Sequence, residues 1–194
     1  MVNFMNISKT KIEGLLVIEP KVFGDERGYF MESFNLPSLT QELKQEYSFI
    51  QDNESKSSYG VLRGLHYQLS PYAQTKLVRV IEGCVLDVAV DIRKGSPTFG
   101  EHVAVELSGE NKKQFLVPRG FAHGFVVKSE TAIFAYKVDN LYAPEHDRGI
   151  SYKDPKLDID WQVPADLLKL SPKDLAAPSL ENAEVFDIKD SLYE

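Results

Sequence analysis

Short hydrophobic segments separated by turn residues dominate this sequence. Between residues 15 and 138 the apolar runs are brief, and stretches rich in glycine, proline, serine or asparagine, such as 93–97 and 108–112, separate them. Segments of this kind are typical of β-strands. The candidate strands are 15–18, 29–34, 49–53, 60–69, 75–82, 85–92, 103–107, 114–118, 123–127 and 131–138. So many strands in one chain predict an all-β fold, an antiparallel sandwich or barrel.

One segment has helical periodicity instead. Leu36, Leu39 and Leu43 recur at the spacing of one helix face. This spacing predicts a helix over 37–47 that begins at Pro37 or at the serine after it.

The length and composition are those of one globular domain. A chain of 194 residues with 43% hydrophobic and 26% charged residues is long enough to bury a sizeable core. The segment after residue 141 is richer in proline and acidic residues. We expect it to pack on the barrel as a C-terminal tail, so that residues 1–194 form a single domain.

The charge balance and the hydropathy argue against two classes of partner. With 22 basic and 29 acidic residues the net charge is -7, which disfavours a nucleic-acid polymer but leaves a small anionic ligand open. No apolar run approaches the ~20 residues that span a bilayer, and the polar residues 1–10 lack the apolar core of a signal peptide. Cys84 is the only cysteine, so no disulfide framework is expected and the cytoplasm is the expected location.

Polar residues suited to proton transfer stand among the hydrophobic strands. His66 lies in the segment 63–68, Lys76 follows ten residues later, and His123 and Tyr136 lie in two later strands. A histidine can take a proton beside a carbonyl, a cation can hold the developing enolate, and a tyrosine can return a proton. This combination predicts acid–base chemistry on a carbonyl compound.

The alternation of side chains along a strand places several of these polar groups on the same face as apolar ones. Lys76 shares a strand face with Val78, and Arg79 lies on the other face. His123 aligns in the same way with Phe125. Such a pattern is typical of a barrel whose interior holds a ligand.

A glycine affects the direction of His66. In a regular strand Arg63 and His66 would lie on opposite faces. Gly64, which stands between them, can mark a bulge that brings both to one face. It also leaves room for another backbone or a ligand to approach.

Each of these residues also has a plainer interpretation. A strand histidine such as His66 is more often a hydrogen-bonded packing residue than a catalyst, and Tyr136 can be a core residue with a satisfied hydroxyl. We expect Arg79 to be a solvated charge. Asp87 and Asp91 alternate along one strand, and we expect them at the rim of a hairpin.

No metal or organic cofactor is expected. No two of the four histidines lie at the spacing that lets one strand offer both to an ion, and no glutamate follows at a matching position. Convergence of distant ligands remains the alternative. A glycine-rich phosphate loop of the Walker or dinucleotide type is also missing from the sequence.

Taken together, these segments resemble the dTDP-4-dehydrorhamnose 3,5-epimerases, which are metal-free members of the cupin superfamily. The resemblance covers nearly the whole chain in the right order. It rests on the segments 25–32, 51–53, 63–68, 76–80, 96–100, 118–125, 136–137, 142–144 and 170–174. It implies a jelly-roll fold and a homodimer that acts on dTDP-4-dehydro-6-deoxy-D-glucose, a dTDP-linked 4-keto-6-deoxysugar.

The resemblance also implies a role for each matching residue. His66 is the implied general base with Asp174 as its carboxylate partner, and Tyr136 is the implied general acid on the other face of the sugar. Lys76 would stabilise the enolate, and His123 would also lie at the sugar. The remaining substrate-binding residues that it implies are Arg27, Phe30, Glu32, Gln51, Asn53, Arg63, Tyr142, Asp147 and Lys173.

Asp147 is a departure from the family pattern, which usually has glutamate at this position. Because aspartate has the shorter side chain, the contact of Asp147 with the ligand is expected to run through water or to be absent.

The implied dimer gives the strand 29–34 a specific role. As a lone outer strand it would leave an open edge that a second subunit closes, and Arg27 and Glu32 of one chain would then reach the nucleotide of the other. The plainer alternative is that the strand pairs within its own chain and that Arg27 is a solvated turn residue.

Three alternative functions remain open at the level of the sequence. The first is a relative that epimerises a single carbon or isomerises the ketone of another dTDP-deoxysugar. The second is a metal-dependent cupin enzyme. The third is a cupin that binds a sugar nucleotide without catalysis.

Overall fold

Two antiparallel sheets packed face to face form the body of the protein. The computed structural model describes residues 5–43 and 46–193. The α-helices are α1 (Leu36–Leu43) and α2 (Pro172–Leu175), and single 3-10 turns lie at Pro144–His146, Ala165–Leu167 and Leu180–Asn182. The strands are β1 (Met5–Lys9), β2 (Leu16–Pro20), β3 (Val22–Asp25), β4 (Gly28–Met31), β5 (Gln51–Ser58), β6 (Leu62–Gln68), β7 (Lys76–Glu82), β8 (Cys84–Asp91), β9 (Arg93–Lys94), β10 (His102–Ser108), β11 (Gln114–Val117), β12 (Phe121–Val127), β13 (Thr131–Val138), β14 (Asp147–Gly149) and β15 (Phe186–Asp187).

The strand order separates the chain into two large sheets and two small ones. One sheet has six strands in the order β1-β2-β11-β7-β13-β5, and the other has five in the order β10-β8-β12-β6-β14. All neighbours in both sheets are antiparallel. The small sheets pair β3 with β4 and β9 with β15. The predicted all-β jelly-roll sandwich is confirmed.

The core between the two sheets is built from alternate residues of both. Val78 and Phe134 of the six-stranded sheet pack in one cluster with Val85 and Phe125 of the five-stranded sheet, and each is at most 4% exposed. The rings of Phe125 and Phe134 stack at 4.1 Å between centroids. We call the space between the sheets the interior.

The outer face of each sheet is also covered. The tail brings Trp161, Leu180 and Phe186 onto Leu65 and Val88 of the five-stranded sheet. This packing confirms the prediction that the C-terminal segment lies on the barrel. On the other side α1 and the segment after it cover the six-stranded sheet, and their buried contributions are Leu39 and Tyr47.

The predicted helix is present but shorter than expected. Asn35 caps α1, since its Oδ1 accepts a hydrogen bond from the Ser38 N–H at 3.0 Å. The predicted end at Tyr47 is wrong: residues 44 and 45 lie outside the described residues, and the chain is not helical from residue 46 onward. Tyr47 is instead buried and stacks on Phe49 at 5.8 Å between ring centroids.

Neither described helix reaches the length and hydropathy that a bilayer-spanning helix requires.

Among the strands that depart from the prediction, β1 and β5 do so because they are polar. Strand β1 was not predicted, and β5 runs to Ser58 instead of ending at Asn53. Both are edge strands, in which only every second side chain faces the core. Their backbone hydrogen bonds with β2 and β13 define them, and hydrophobicity does not signal such pairing.

The expectation of a lone outer strand at 29–34 is wrong. Strand β4 pairs with β3 over Gly28–Met31, so the segment is a hairpin within its own chain. The hairpin belongs to neither large sheet. Its apolar side chains are nevertheless exposed, with Tyr29 at 58% and Phe30 at 69%.

We predict that the tail contributes directly to stability. Trp161 is 6% exposed in the outer core and donates a hydrogen bond from Nε1 to the Tyr152 carbonyl at 2.8 Å. Trp161→Ala should therefore lower the free energy of unfolding by about 3–5 kcal/mol. Leu167→Ala, at a position 46% exposed in the same tail, should change it by less than about 0.5 kcal/mol. Urea denaturation measures both, and equal effects would contradict the packing described here.

Candidate active site

The candidate residues reach the interior from both large sheets. His66 and His123 lie on β6 and β12 of the five-stranded sheet, and Lys76 and Tyr136 lie on β7 and β13 of the six-stranded sheet. Because the sheets face each other, the histidines approach the interior from one side and the lysine and tyrosine from the other.

His66 is held by a carboxylate from the tail. Its Nε2 lies 2.5 Å from Asp174 Oδ1, and Asp174 Oδ2 accepts a hydrogen bond from the Ser171 hydroxyl at 2.7 Å. Burial alone would raise the pKa of Asp174, but the hydrogen bonds from His66 and Ser171 outweigh it and hold this pKa below its usual value. An ionised Asp174 accepts from Nε2–H, and this leaves Nδ1 of His66 as the basic nitrogen.

The predicted bulge is present and directs His66 inward. In the pairing of β12 with β6, His123 lies opposite His66 and Phe125 lies opposite Arg63, so two β6 residues face Gly124 alone. Gly64 has a φ of +126°, and a Cβ on it would lie 2.6 Å from the Gly124 Cα. The glycine therefore permits both the positive φ and the close approach of a second backbone, as expected.

A second histidine–carboxylate pair lies beside the first. His123 Nε2 lies 2.8 Å from Asp87 Oδ1, and both side chains are buried, Asp87 completely. Within the described residues Asp87 Oδ2 has no hydrogen-bond partner. Since His123 is the cross-strand neighbour of His66, the two imidazoles lie side by side on one sheet face.

The expectation of a hairpin rim for Asp87 and Asp91 is wrong. Both are 0% exposed. Asp91 accepts hydrogen bonds from Arg93 and from the hydroxyls of Ser96 and Thr98. Sequence reasoning thus missed Asp87 as a site residue. The available signal was a carboxylate within a strand that is otherwise wholly hydrophobic at residues 85–90, where an exposed rim would require polar neighbours.

Lys76 is a half-buried cation without a counterion in the part of the chain that the structure describes. Among the described residues it makes no hydrogen bond or ion pair that meets normal distances. Desolvation lowers the pKa of Lys76 to about 8, although the negative charges of Asp147 and Asp87 act in the opposite direction. Arg79 lies on the other face of β7 and is also half-buried, so the predicted separation of these two cations is confirmed.

Tyr136 presents its hydroxyl without a partner in the described part of the chain. Its ring lies 6.0 Å from that of Phe134 between centroids. Burial raises the pKa of Tyr136, and the nearby charge of Arg63 opposes this effect. A neutral phenol of this kind can donate a proton at physiological pH. Its cross-strand neighbour is Asn53 on β5.

Other residues implied for nucleotide binding form two small clusters. On the first, Arg63 donates to the Ser57 hydroxyl at 3.2 Å, and Gln51 Nε2 donates to Asn53 Oδ1 at 2.8 Å. On the second, Asp147 links two neighbours: it accepts from the Tyr142 hydroxyl at 3.0 Å and forms an ion pair with Lys173. The aspartate that departs from the family pattern therefore orients both of its neighbours.

Three implied residues are not brought to this site by their own chain. Arg27 is 85% exposed in its side chain and pairs with Asp25, and Phe30 is also exposed. Glu32 accepts a hydrogen bond from Asn35 Nδ2 at 2.9 Å. Arg27 and Phe30 lie on the β3–β4 hairpin, whereas Glu32 follows β4 and lines a small cavity with Leu77 and Gln114 of the six-stranded sheet.

A cavity of about 340 Å³ adjoins the His66–Asp174 pair. Its walls include Asp147 and Lys173, and Gly149, which has no side chain, leaves space beside the imidazole. Across residues 5–43 and 46–193 no three histidine, cysteine, aspartate or glutamate side chains come together in a way that would hold a metal ion.

Comparison with known proteins gives a consistent result. A family model described as dTDP-4-dehydrorhamnose 3,5-epimerase matches residues 9–182. The dTDP-4-dehydrorhamnose 3,5-epimerase of Shigella flexneri is 54% identical over 182 residues, which cover 94% of this chain and 99% of that protein.

Solved structures show the same fold. A crystal structure of dTDP-6-deoxy-D-glucose-3,5-epimerase from Legionella pneumophila, in complex with dTDP-4-keto-L-rhamnose, superposes with a TM-score of 0.92 at 52% identity and covers 96% of this chain and 100% of that one. A 3'-monoepimerase from Streptomyces bikiniensis in complex with dTDP-quinovose gives a TM-score of 0.83 at 34% identity, covering 89% and 86% of the two chains.

We predict that Lys76 titrates far below an ordinary lysine. In NMR spectra of isotopically labelled protein its side-chain resonance should show a pKa of about 8. Lys156 is the control, because its ion pair with Glu181 raises the pKa of this exposed lysine. Asp87→Asn should lower the pKa of Lys76 further, since it removes a negative charge that favours the ammonium. A Lys76 pKa near the usual lysine value would contradict the desolvated site.

Proposed function

The chain belongs to the dTDP-4-dehydrorhamnose 3,5-epimerase family, and we propose that it inverts C3 and C5 of dTDP-4-dehydro-6-deoxy-D-glucose. The product is dTDP-4-dehydro-L-rhamnose, an intermediate in the biosynthesis of dTDP-L-rhamnose. The family match covers residues 9–182, and the relatives from Shigella flexneri and Legionella pneumophila carry a 3,5-epimerase activity in their names.

One structural observation carries the proposal. A histidine with its carboxylate, and a tyrosine whose hydroxyl has no hydrogen-bond partner among residues 5–43 and 46–193, project into the interior from opposite sheets. Inversion of a carbon requires that a proton leave from one face and return to the other. A site with its base and its acid on opposite walls supports this stereochemistry.

The first half of the reaction would proceed as follows. His66 Nδ1 takes the proton from C5, and the electron pair of the C–H bond moves toward the C4 carbonyl to form an enolate. Tyr136 then gives its phenolic proton to C5 from the other face, and the carbonyl is restored. Solvent removes the proton from the imidazolium and reprotonates the tyrosinate. The same sequence at C3 completes the reaction, because C3 also neighbours the C4 ketone.

Lys76 would stabilise the enolate oxygen. It is on the same face as Tyr136, since its neighbour Val78 two residues on is the cross-strand partner of that tyrosine. An ammonium that is desolvated and has no counterion interacts strongly with a developing oxyanion. His123, oriented by Asp87, would contact the sugar beside it.

The two polar clusters would bind the nucleotide. We assign Arg63, Gln51 and Asn53 to the diphosphate, because a guanidinium and amide N–H groups are suitable donors to phosphate oxygens. Tyr142 would stack on the thymine, with Lys173 and Asp147 beside it. No metal or cofactor takes part in this scheme.

A single-carbon epimerase is the second candidate. It is favoured by the likeness to the Streptomyces bikiniensis 3'-monoepimerase at 34% identity. The Shigella flexneri and Legionella pneumophila proteins at 54% and 52% identity carry 3,5-epimerase names and favour the double inversion.

We also propose that the protein is a single-domain homodimer whose sites borrow residues from the partner. The β3–β4 hairpin exposes Val22, Tyr29 and Phe30, and a second copy of the chain can cover them. Arg27 on this hairpin and Glu32 just after it would then reach the nucleotide of the partner. A cytoplasmic location stays a prediction.

We predict that deuterium from solvent distinguishes the two catalytic roles. His66→Ala should lose exchange at both C3 and C5, because no base remains, with a fall in turnover of about 100- to 10,000-fold. Tyr136→Phe should keep measurable exchange but lose inversion at C5, because the opposite donor is gone. NMR analysis of the product, which reads the configuration at each carbon, measures both effects.

The controls separate these roles from general damage. His102→Ala and Tyr59→Phe change the same residue types outside the site and should behave as wild type. Wild-type activity should also persist after exhaustive treatment with a chelator. Wild-type behaviour of both site variants would support a binding protein, loss of activity in chelator would support a metal-dependent enzyme, and exchange at one carbon alone would support the single-carbon alternative.

We predict that mixed dimers regain activity. Arg27→Ala and His66→Ala subunits are each expected to be inactive, but a mixed dimer holds one site with His66 from one chain and Arg27 from the other. A statistical one-to-one mixture should recover about a quarter of wild-type activity. Native mass spectrometry verifies the exchange of subunits. If exchange is complete and activity stays absent, the borrowed-residue arrangement is refuted.

A further inference from the structure

A closed ring of hydrogen bonds lies at the end of the interior where Lys76 enters its strand. The Thr75 N–H donates to Asp139 Oδ1 at 2.7 Å, and Arg119 Nε donates to Asp139 Oδ2 at 3.2 Å. The Arg119 backbone N–H donates to the Tyr193 hydroxyl oxygen at 3.2 Å. The Tyr193 hydroxyl and the Thr75 hydroxyl share a hydrogen bond of 2.9 Å, which closes the ring.

The members of this ring join the strands that carry the site. Thr75 immediately precedes Lys76, the first residue of β7. Asp139 follows directly on the end of β13, the strand of Tyr136. Arg119 lies in the turn that leads into β12 and so to His123. The ring therefore fixes the relative positions of three strand ends from both sheets.

Tyr193 is the member that comes from the tail, beyond the segment 9–182 that the family model matches. Its ring lies under the guanidinium of Arg119 at 4.9 Å and meets the edge of Tyr47 at 6.3 Å between centroids. Arg119 also holds the backbone next to it, because Nη1 donates to the Leu192 carbonyl at 2.7 Å. Thr75 is completely buried.

The position of Lys76 depends on its neighbours along the chain, because its own side chain has no polar contact with the described residues. Its ammonium makes no hydrogen bond or ion pair of normal length with the described residues, so its position depends on its backbone. The residue that precedes it is held on two sides, by Asp139 at the backbone and by Tyr193 at the side chain. A displacement of about 1 Å in a group that acts on the transition state can lower the rate by about 100-fold.

We propose that Tyr193 is a positioning residue for the epimerisation: its hydroxyl holds Thr75 and thereby sets the position of the Lys76 ammonium at the enolate oxygen. This inference rests on the proposed function. It differs from a purely structural role for the tail, because removal of one hydroxyl should change the chemical step and leave nucleotide binding intact.

The test compares Tyr193→Phe, Thr75→Val and the double variant with the control Tyr59→Phe. Tyr193→Phe keeps the ring under Arg119 and removes only the hydroxyl. We expect its kcat to fall about tenfold, with KM within about twofold of wild type and a nearly unchanged Tm. If Tyr193 acts through Thr75, the double variant should be no slower than Thr75→Val alone.

Several results would overturn the proposal. These are an unchanged kcat in Tyr193→Phe, additive losses in the double variant, a joint change of kcat, KM and Tm, or an equal loss in Tyr59→Phe. The NMR resonance of Lys76 adds a readout that needs no turnover: it should shift in Tyr193→Phe and not in Tyr59→Phe. Wild-type protein that is inactive on the dTDP-sugar would refute the proposed function, whereas an unmoved Lys76 resonance refutes this inference alone.

Discussion

The contact between two backbones at Gly64 and Gly124 determines the direction of the His66 side chain. A Cβ on Gly64 would lie 2.6 Å from the Gly124 Cα, and a Cβ on Gly124 would lie 2.8 Å from the Arg63 carbonyl oxygen. With two glycines at this point, β6 accommodates one extra residue opposite β12. Without the bulge the side chains beyond it would exchange faces, and His66 would enter the outer core under the tail.

Charge burial explains the different states of the site's ionisable groups. Asp174 and Asp87 each have a histidine as partner, and the hydrogen bonds from His66 and Ser171 hold the pKa of Asp174 below its usual value despite its burial. Lys76 has no such partner, and the desolvation of its ammonium lowers its pKa to about 8. Lys76 therefore lies close to its pKa near neutral pH and has no ion-pair partner among the described residues. An oxyanion that forms during a reaction would supply the missing counterion.

The sequence was informative where side-chain pattern alone sets the structure. Alternation placed Lys76 and Arg79 on opposite faces, and Gly64 marked the bulge, because both follow from local geometry. The sequence was uninformative where a partner distant along the chain decides. Asp87 can be buried because its carboxylate is paired with His123, which lies 36 residues away in the chain. Strand β5 extends to Ser58 because β13 offers backbone hydrogen bonds to a polar edge. The hydrophobic periodicity of a single segment predicts neither the burial of Asp87 nor the length of β5.

The layers outside the two sheets give the interior its chemical character. The tail covers the outward face of the five-stranded sheet, so the outward residues of the strands that carry His66 and His123, such as Leu65 and Val126, are buried and apolar. On the six-stranded sheet α1 packs over Leu77, whereas Arg79 on the same outward face is half-buried. The tail also reaches further: it supplies Asp174 to His66 and, near its end, Tyr193 to the strand of Lys76. The C-terminal segment, which the sequence indicates only as a tail that packs on the barrel, thus contacts strands of both sheets. Its backbone connects Asp174, the partner of His66, with Tyr193, which contacts the residue before Lys76.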